Sequence, residues 1–461
     1  MAAESLNHLQ ERLCDLAARH KVVGAAVAVL AGESIHEAAC GVLNLSTGVE
    51  ATTDSLFQTG SIGKVYTATI AMRLVEEGLL RLDEPIVASL PEFRVADPDV
   101  TKQVTLRHLL THTSGIDGDY FMDTGRGDDA LARYVEACAD LRQSHPLGAT
   151  MSYCNTGYLI LGRLIEKVTG QHWHDALRGR LIEPLGLTHT VSLPEQALRF
   201  RTAMGHIARP GEATRPAPAW ELFHSGAPAG ANLCATPAEL IAFARLHLDG
   251  GRAGDGGRLL SEEAVAAMRE PQVAVPNRWV LGGGVHWGLG WMLFDWGGRW
   301  LFGHDGGTLG QSSFLRVVGD AEVAVALMTN GGNTAELYEE LFRELLAELA
   351  GVTMPPRVEP PPEPVSVDLA RYVGVYERAG VRMEITTGEG VLQSTVSITG
   401  ELAKLLDQPP EQVTLIPVDP AEELFVSRQD EDENWAPTVF FSLRDGQRYA
   451  HSGGRATPRI T

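Results

Sequence analysis

The chain has 461 residues, with 38 lysines and arginines against 59 aspartates and glutamates, a formal net charge of −21. Its hydrophobic share of 44% and charged share of 21% are ordinary for a globular protein, and the length suggests two domains. The acidic balance has no basic tract to interrupt it, which argues against nucleic acid and anionic membrane surfaces as partners.

Along the chain, Leu6, Leu9, Leu13 and Leu16 recur at helical spacing and predict an amphipathic helix packed on a core. The same segment lacks the basic start and continuous apolar stretch of a secretory signal, and no apolar run is long enough to span a bilayer, so a cytoplasmic location is expected. Residues 22–30, rich in valine and alanine, read as a buried strand, with a return strand at 35–42 through Gly32-Glu33. Helical patterns dominate residues 61–248, broken by proline and glycine clusters. Residues 287–293, 300–302, 312–318 and 323–329 read as sheet strands, and 335–350 as an amphipathic helix. Residues 354–364 are proline-rich and predict an extended, semi-rigid tether. Beyond it, short alternating runs such as Val381, Met383 and Ile385, and the turn pair Asp445-Gly446, predict a small antiparallel β-domain. Cys14, Cys40, Cys138, Cys154 and Cys234 are odd in number and scattered, with no Cys-x-x-Cys pair, which argues against a disulfide framework or a structural zinc site.

Three segments carry chemistry. Ser61-Ile62-Gly63-Lys64 follows the strand-like run 56–59. Residues i and i+3 share a helical face, so the Lys64 amine can reach the Ser61 hydroxyl, and a helix N-terminus favours negative charge. By itself the pair also reads as an N-capping serine with an exposed lysine. Lysine is scarce, however, and none of Lys21, Lys102, Lys167 and Lys404 has a serine three residues before it. Tyr153-Cys154-Asn155 precedes the helix-patterned run 159–166. His304-Asp305-Gly306-Gly307 lies between strand-like runs. The order Ser-x-x-Lys, Tyr-x-Asn, basic residue-x-Gly resembles the serine β-lactamase and penicillin-binding-protein superfamily. Within it the chain is most similar to the branch of class C β-lactamases, esterases, D-aminopeptidases and stand-alone peptide cyclases. Residues 109–116 (Leu-Leu-Thr-His-Thr-Ser-Gly-Ile), 184–187 (Pro-Leu-Gly-Leu) and 228–233 (Pro-Ala-Gly-Ala-Asn-Leu) match the same branch, and the resemblance covers about three-quarters of the chain.

The resemblance implies an α+β fold: an antiparallel sheet built from both ends of a catalytic domain, flanked by helices, with a helical subdomain between them. A small antiparallel β-barrel, lipocalin-like as in several relatives, would follow. The expected boundaries are 1–353 for the catalytic domain, 354–366 for the linker and 367–461 for the β-domain. The implied reaction is acyl transfer through an ester on Ser61. Lys64 can take the serine proton only when neutral, which requires burial or a nearby cation, and Tyr153 is a second base whose titration would be coupled to it. Asn155 is expected to orient Lys64 and donate to the substrate amide. The backbone N–H groups of Ser61 and Gly307 would form an oxyanion hole, each donor contributing on the order of 3 kcal/mol. Gly306 and Gly307 would let the strand backbone approach substrate. His304 stands where β-lactamases carry the lysine of Lys-Thr-Gly. Being largely neutral at pH 7, it shifts the expected substrates from carboxylate-bearing β-lactams toward esters, thioesters or peptide amides.

Substrates are thus expected to be small molecules or peptides, free or carrier-protein-bound, and no cofactor or metal is implied. A narrower alternative is a thioesterase of the penicillin-binding-protein type that macrocyclises a carrier-bound nonribosomal peptide. A further one is a non-catalytic scaffold or sensor that keeps the fold. Other residues read as structural. His108 and His112 have helical metal-pair spacing but lack the following glutamate and fall in the family's turn. Cys154 reads as a buried small side chain, and Asp305 is left unassigned. Trp279, Trp287, Trp291, Trp296 and Trp300 are expected to line core and cleft. Gly282-Gly283-Gly284 has neither the strand–helix setting nor the Lys-Ser/Thr of a phosphate loop.

Overall fold

The computed structural model describes residues 4–208, 212–254, 256–388, 390–400, 403, 409–430 and 434–461. Its main sheet contains β1 (Gly24–Ala31), β2 (Ser34–Asn44), β3 (Val49–Glu50), β4 (Val273–Ala274), β5 (Gly284–Trp287), β6 (Met292–Trp296), β7 (Arg299–Thr308), β8 (Gln311–Val318) and β9 (Val323–Thr329). The strands run antiparallel in the order β3-β2-β1-β9-β8-β7-β6-β5-β4. The helices that matter for the site and the core are α1 (Leu9–Arg19), α2 (Gly63–Glu76), α3 (Asn155–Thr169), α4 (Pro237–Leu248) and α5 (Thr334–Ala350).

The unbroken apolar character of residues 22–30 has a direct cause. β1 pairs with β2 on one side and β9 on the other, from Ala25 opposite Thr329 to Ala31 opposite Val323, and both of its faces are covered. Ala25, Val27 and Val29 join Val325 and Leu327 in a core with Leu13 and Leu16 of α1 and Leu341 and Leu345 of α5. Ala26, Ala28 and Leu30 face the other way, toward α2 and α4. A strand buried on two faces has no polar side to alternate with. Everything between β3 and β4 is inserted, mostly helical, and supplies α2, α3 and α4.

The stretch 287–293 departs from its expected single strand. Trp287 ends β5 and Met292 begins β6, and the two strands pair as a hairpin whose turn includes Gly290 at φ +97. The leucine-patterned N-terminus is likewise split, with Glu4–Asn7 preceding α1 as a separate turn of helix.

The C-terminal unit comprises β10 (Gly374–Arg378), β11 (Val381–Gly388), β12 (Val391–Ile398), β13 (Glu411–Asp419), β14 (Leu424–Ser427), β15 (Ala436–Ser442), β16 (Arg448–Ser452) and β17 (Arg455–Pro458), each paired antiparallel with the next. Contacts between the first and last strands, Tyr376 with Arg459 and Val375 with the carbonyl of Thr461, nearly close it into a barrel. Tyr372, Tyr376, Leu392, Phe425 and Phe440 fill its interior. Asp445-Gly446 makes the expected turn between β15 and β16, with Gly446 at φ +82. The proline-rich segment before the barrel is laid along α5: Arg343 donates to the Met354 carbonyl at 2.6 Å, and Arg357 pairs with Glu339 at 2.6 Å. Among the described residues no helix is long and apolar enough to cross a membrane.

Leu13 is fully buried between α1 and the sheet, whereas Leu198 is 85% exposed. Leu13→Ala is predicted to cost about 2–5 kcal/mol of stability and Leu198→Ala less than about 0.5 kcal/mol, both read by chemical denaturation.

Candidate active site

The turn that carries Ser61 is a short 3-10 segment, Gly60–Ile62, running directly into α2. It is held from several sides. Thr59 N–H donates to the Leu233 carbonyl at 2.8 Å, and Ser313 of β8 donates its hydroxyl to the Thr59 carbonyl at 2.6 Å. Gly60 adopts φ +51, and a side chain there would strike the Gly307 amide of β7. Gly306 packs its bare Cα against the Thr59 carbonyl and Ser313, where a Cβ has no room. Gly306 of His-Asp-Gly-Gly thus lets β7 press against the turn that carries Ser61. For Gly306 the close approach seen is to the Thr59 carbonyl. Gly307 remains exposed with free space in front of it, and its amide lies beside the turn.

One helical turn after Ser61, Lys64 is fully buried and donates from Nζ to Ser61 Oγ at 3.0 Å and to the Ala229 carbonyl at 2.9 Å. The segment 228–233 therefore has a physical purpose. Gly230, at φ +96, lies hard against Gly60, and Ala229 anchors the amine. Burial holds the Lys64 amine well below the usual ammonium range. Arg455 lowers it further, while Asp119 opposes the shift. Burial favours the uncharged form of the amine, and its nearest side-chain partner is the Ser61 hydroxyl.

Tyr153 forms the next wall. Its ring lies 5.0 Å from Lys64 Nζ, stacks on His112 at 4.4 Å and meets Trp287 edge-on at 5.6 Å. Burial raises the phenol above its ordinary value, while Ser61 and Arg455 pull it back. The hydroxyl faces Ser61 without completing a hydrogen bond of good geometry. Cys154 does more than fill space: its sulfur caps α3 by accepting from Gly157 N–H at 3.2 Å, and burial pushes the thiol up to about 12.

Asn155 and His304 stand differently from expectation. Asn155 donates Nδ2 to Asp119 Oδ1 at 3.2 Å and makes no hydrogen bond to Lys64, whose partners are Ser61 and Ala229. His304, expected at the substrate, is 1% exposed and lies beneath the opening, edge-on to Trp287 at 5.5 Å. Its Nδ1 donates to the Asp305 carbonyl at 2.6 Å, which fixes the tautomer and leaves Nε2 as an unpartnered acceptor. Burial, then Lys64, lower its pKa to about 3, so it is a neutral imidazole. Asp305 pairs with the fully buried guanidinium of Arg316 at 2.5 and 3.0 Å. Trp287, Trp291 and Trp296 are buried, while Trp300 is half exposed.

The structure adds residues that no motif announced. The hairpin between β16 and β17 reaches the site from the barrel. Gly454 accepts the Tyr153 N–H at 2.8 Å, and Ala456 N–H donates to Ser152 Oγ at 3.1 Å. Arg455 lies 4.9 Å from the Tyr153 ring centre and pairs with Asp119 at 3.0 and 3.1 Å. Arg378, from the β10–β11 hairpin, binds the same carboxylate at 2.7 Å. Burial alone would raise Asp119, but Arg455 and Arg378 outweigh it and keep the carboxyl below its ordinary range. His112, at φ +57, accepts the Cys154 N–H on Nδ1 at 3.0 Å and supports Tyr153 from below. Nothing in the spacing pointed to Arg455 or Asp119, which lie 336 residues apart.

All five cysteines are free, and no group of three or more metal-ligating side chains occurs among the described residues. Two surface crevices, of about 810 and 330 Å³, are lined by other residues, Arg245 to Arg269 in one and Trp279 with Trp435 in the other.

Residues 9–350 match the Beta-lactamase family. Penicillin-binding protein 4 of Amycolatopsis lactamdurans is 51% identical over 373 residues, 81% of this chain and 98% of that protein. The solved structure of SurE matches with a TM-score of 0.79 at 28% identity over 99% of both chains, and SurE with D-Leu at 0.76. D-amino acid amidase from Ochrobactrum anthropi SV3, complexed with L-phenylalanine amide, gives 0.60 at 25% identity over 74% of this chain and 99% of that one.

The neighbouring glycines make a discriminating pair. Gly306→Ala must push β7 off the Thr59 carbonyl, whereas Gly307→Ala enters open space and keeps its N–H. The first is predicted to slow covalent labelling of Ser61 by a fluorophosphonate by about tenfold or more, and the second by less than about threefold.

Proposed function

The chain belongs to the Beta-lactamase family of hydrolases and acyltransferases, and we propose that it works through an acyl-enzyme on Ser61, formed from esters, thioesters or peptide amides. The observation that carries this reading is the 3.0 Å contact between the Ser61 hydroxyl and a fully buried lysine amine, whose pKa burial holds well below the usual ammonium range. In the proposed cycle Lys64 takes the serine proton as Oγ attacks the substrate carbonyl. The amides of Ser61 and Gly307 receive the developing oxyanion. Tyr153, between Lys64 and the barrel arginine, passes the proton to the leaving group, and the acyl-enzyme is then resolved by water or by an amine.

The charge inventory favours substrates without a carboxylate beside the scissile bond. Where the resemblance expected a cation, His304 is neutral and buried, and the cations that do reach the site are paired with Asp119. We therefore place β-lactam hydrolysis below ester, thioester and amide chemistry. The likenesses to SurE, solved with D-Leu, and to a D-amino acid amidase support a D-configured residue on the acyl side.

The test is intact-mass analysis after exposure to a panel of esters, D-amino acid amides and peptidyl thioesters. A mass increase equal to the acyl group, absent in Ser61→Ala, is the expected result. No adduct from any member, together with no labelling by a fluorophosphonate, would favour a non-catalytic scaffold. The released product divides the remaining readings, since a free acid means hydrolysis and a cyclic peptide means attack by the peptide's own amine. Lys64→Ala and Tyr153→Phe are each predicted to lower turnover by about a hundredfold or more. The acid limb of the rate profile should report Lys64, with activity lost as pH falls through its lowered pKa and the amine becomes charged.

A further inference from the structure

We propose that the C-terminal barrel is an obligatory part of the catalytic centre: through a latch made by Asp119 with Arg455 and Arg378, it places a permanent cation against the Ser61–Lys64–Tyr153 group, and the nucleophile is competent only while the barrel is docked. The inference rests on the acyl-enzyme reading above and extends it to a region outside the matched family segment, which ends at residue 350.

The geometry is specific. The Tyr153 ring is flanked by two cationic side chains, Lys64 Nζ at 5.0 Å and the Arg455 guanidinium at 4.9 Å from its centre. The two are therefore no more than about 10 Å apart; Lys64 is fully buried, and the Arg455 side chain is 23% exposed. Two positive charges so placed repel strongly in a poorly solvated interior. Arginine does not give up its proton under ordinary conditions and lysine does, so the repulsion resolves in one direction: Arg455 stays charged and Lys64 becomes neutral. Asp119 makes this arrangement tolerable for the fold by pairing with Arg455 through both oxygens and with Arg378 at 2.7 Å. Asn155 then ties Asp119 to the start of α3.

The other groups that face Lys64 do not substitute for this cation. Tyr153, Tyr158 and Cys154 are neutral weak acids held in that form by burial, His112 and His304 are neutral imidazoles, and Asp119 acts in the opposite sense. Asp305, near Tyr153, is bound to Arg316. Arg455 is thus a positioning residue: its guanidinium is committed to Asp119, and its effect on the reaction passes through Lys64 and Tyr153. Further contacts hold the barrel in place here: Gly454 accepts the Tyr153 N–H, and the Asn277 side-chain amide donates to the His451 carbonyl of the hairpin at 3.0 Å and to the Pro437 carbonyl of β15 at 3.1 Å.

The experiment measures the rate of fluorophosphonate labelling of Ser61 against pH in the full-length protein and in Arg455→Met, Arg455→Lys and Arg378→Met, with thermal melting of each. Kinetics on an ester that bears no carboxylate run in parallel. Removing the cation lets Lys64 hold its proton to higher pH. Arg455→Met should therefore label at least about tenfold more slowly at pH 7, with the acid limb moved up by about one pH unit or more and the rates converging at high pH. Arg455→Lys, which keeps a charge, should recover most of the limb, and Arg378→Met should shift it in the same direction by less. Should Arg455→Met not fold, Arg378→Met carries the test, and an unmoved limb there overturns the proposal. It is equally overturned if Arg455→Met labels like the parent at every pH, if its rate falls equally at every pH, or if only KM changes. The last outcome would make Arg455 a substrate contact. Absence of labelling in the parent protein is a separate failure, that of the acyl-enzyme reading itself.

Discussion

A primary amine sealed from water beside a serine hydroxyl is the constraint to which the surrounding structure answers. Burying a charged ammonium is costly, and the cost falls when the group gives up its proton. The fold keeps Lys64 where it cannot be solvated, anchors it with one backbone carbonyl and offers it the Ser61 hydroxyl. The aromatic floor of Tyr153, Tyr158, His112 and Trp287 is the means of excluding water, and it explains why so many rings meet beneath one short turn.

Delivering that arrangement requires backbone to approach backbone. The turn at Gly60 touches Gly307 and Gly230, and Gly306 touches Thr59, so three separate stretches of chain meet where side chains have been removed. The main sheet makes this possible because β7 and β8 bring their ends to the start of α2. The barrel adds a fourth approach through Gly453 and Gly454, both with positive φ, at the tip of its last hairpin. Glycine there sharpens the turn that presents Arg455, and the carbonyl of Gly454 sets the backbone of Tyr153.

Much of this was legible in sequence where the physics is local. The i, i+3 spacing put the amine on the serine, the alternation of apolar residues at 381–385 marked a barrel strand, and the double-faced burial of β1 appeared as an unbroken apolar run. What could not be read were pairings between distant residues. Asn155 lies on the same short motif as Tyr153, yet its amide turns to Asp119, a loop residue with no pattern around it. His304 sits in the expected strand, but only the packed rings around it show that it is sealed and neutral. The strand at 287–293 failed for a different reason: Gly288 and Gly290 interrupt an otherwise strand-like composition, and one of them takes a positive φ that a continuous strand would not need.

The histidine at position 304 and the arrival of Arg455 from the barrel are best understood together. A strand lysine would stand as a third cation near Lys64 and would itself be free to hold a substrate carboxylate. With histidine there, Nδ1 committed to the Asp305 carbonyl, position 304 contributes no charge. The permanent cation enters from the opposite side, and it comes already paired, because Asp119 holds it at two points. The pairing holds Arg455 beside the Tyr153 ring and leaves little of its charge to recognise an anion, while Asp119 offsets part of its effect on Lys64. On the proposed mechanism, a site organised in this way would separate two roles that one strand lysine would combine, setting the protonation of the base and gripping the substrate, and it would leave the second to contacts that do not depend on a carboxylate.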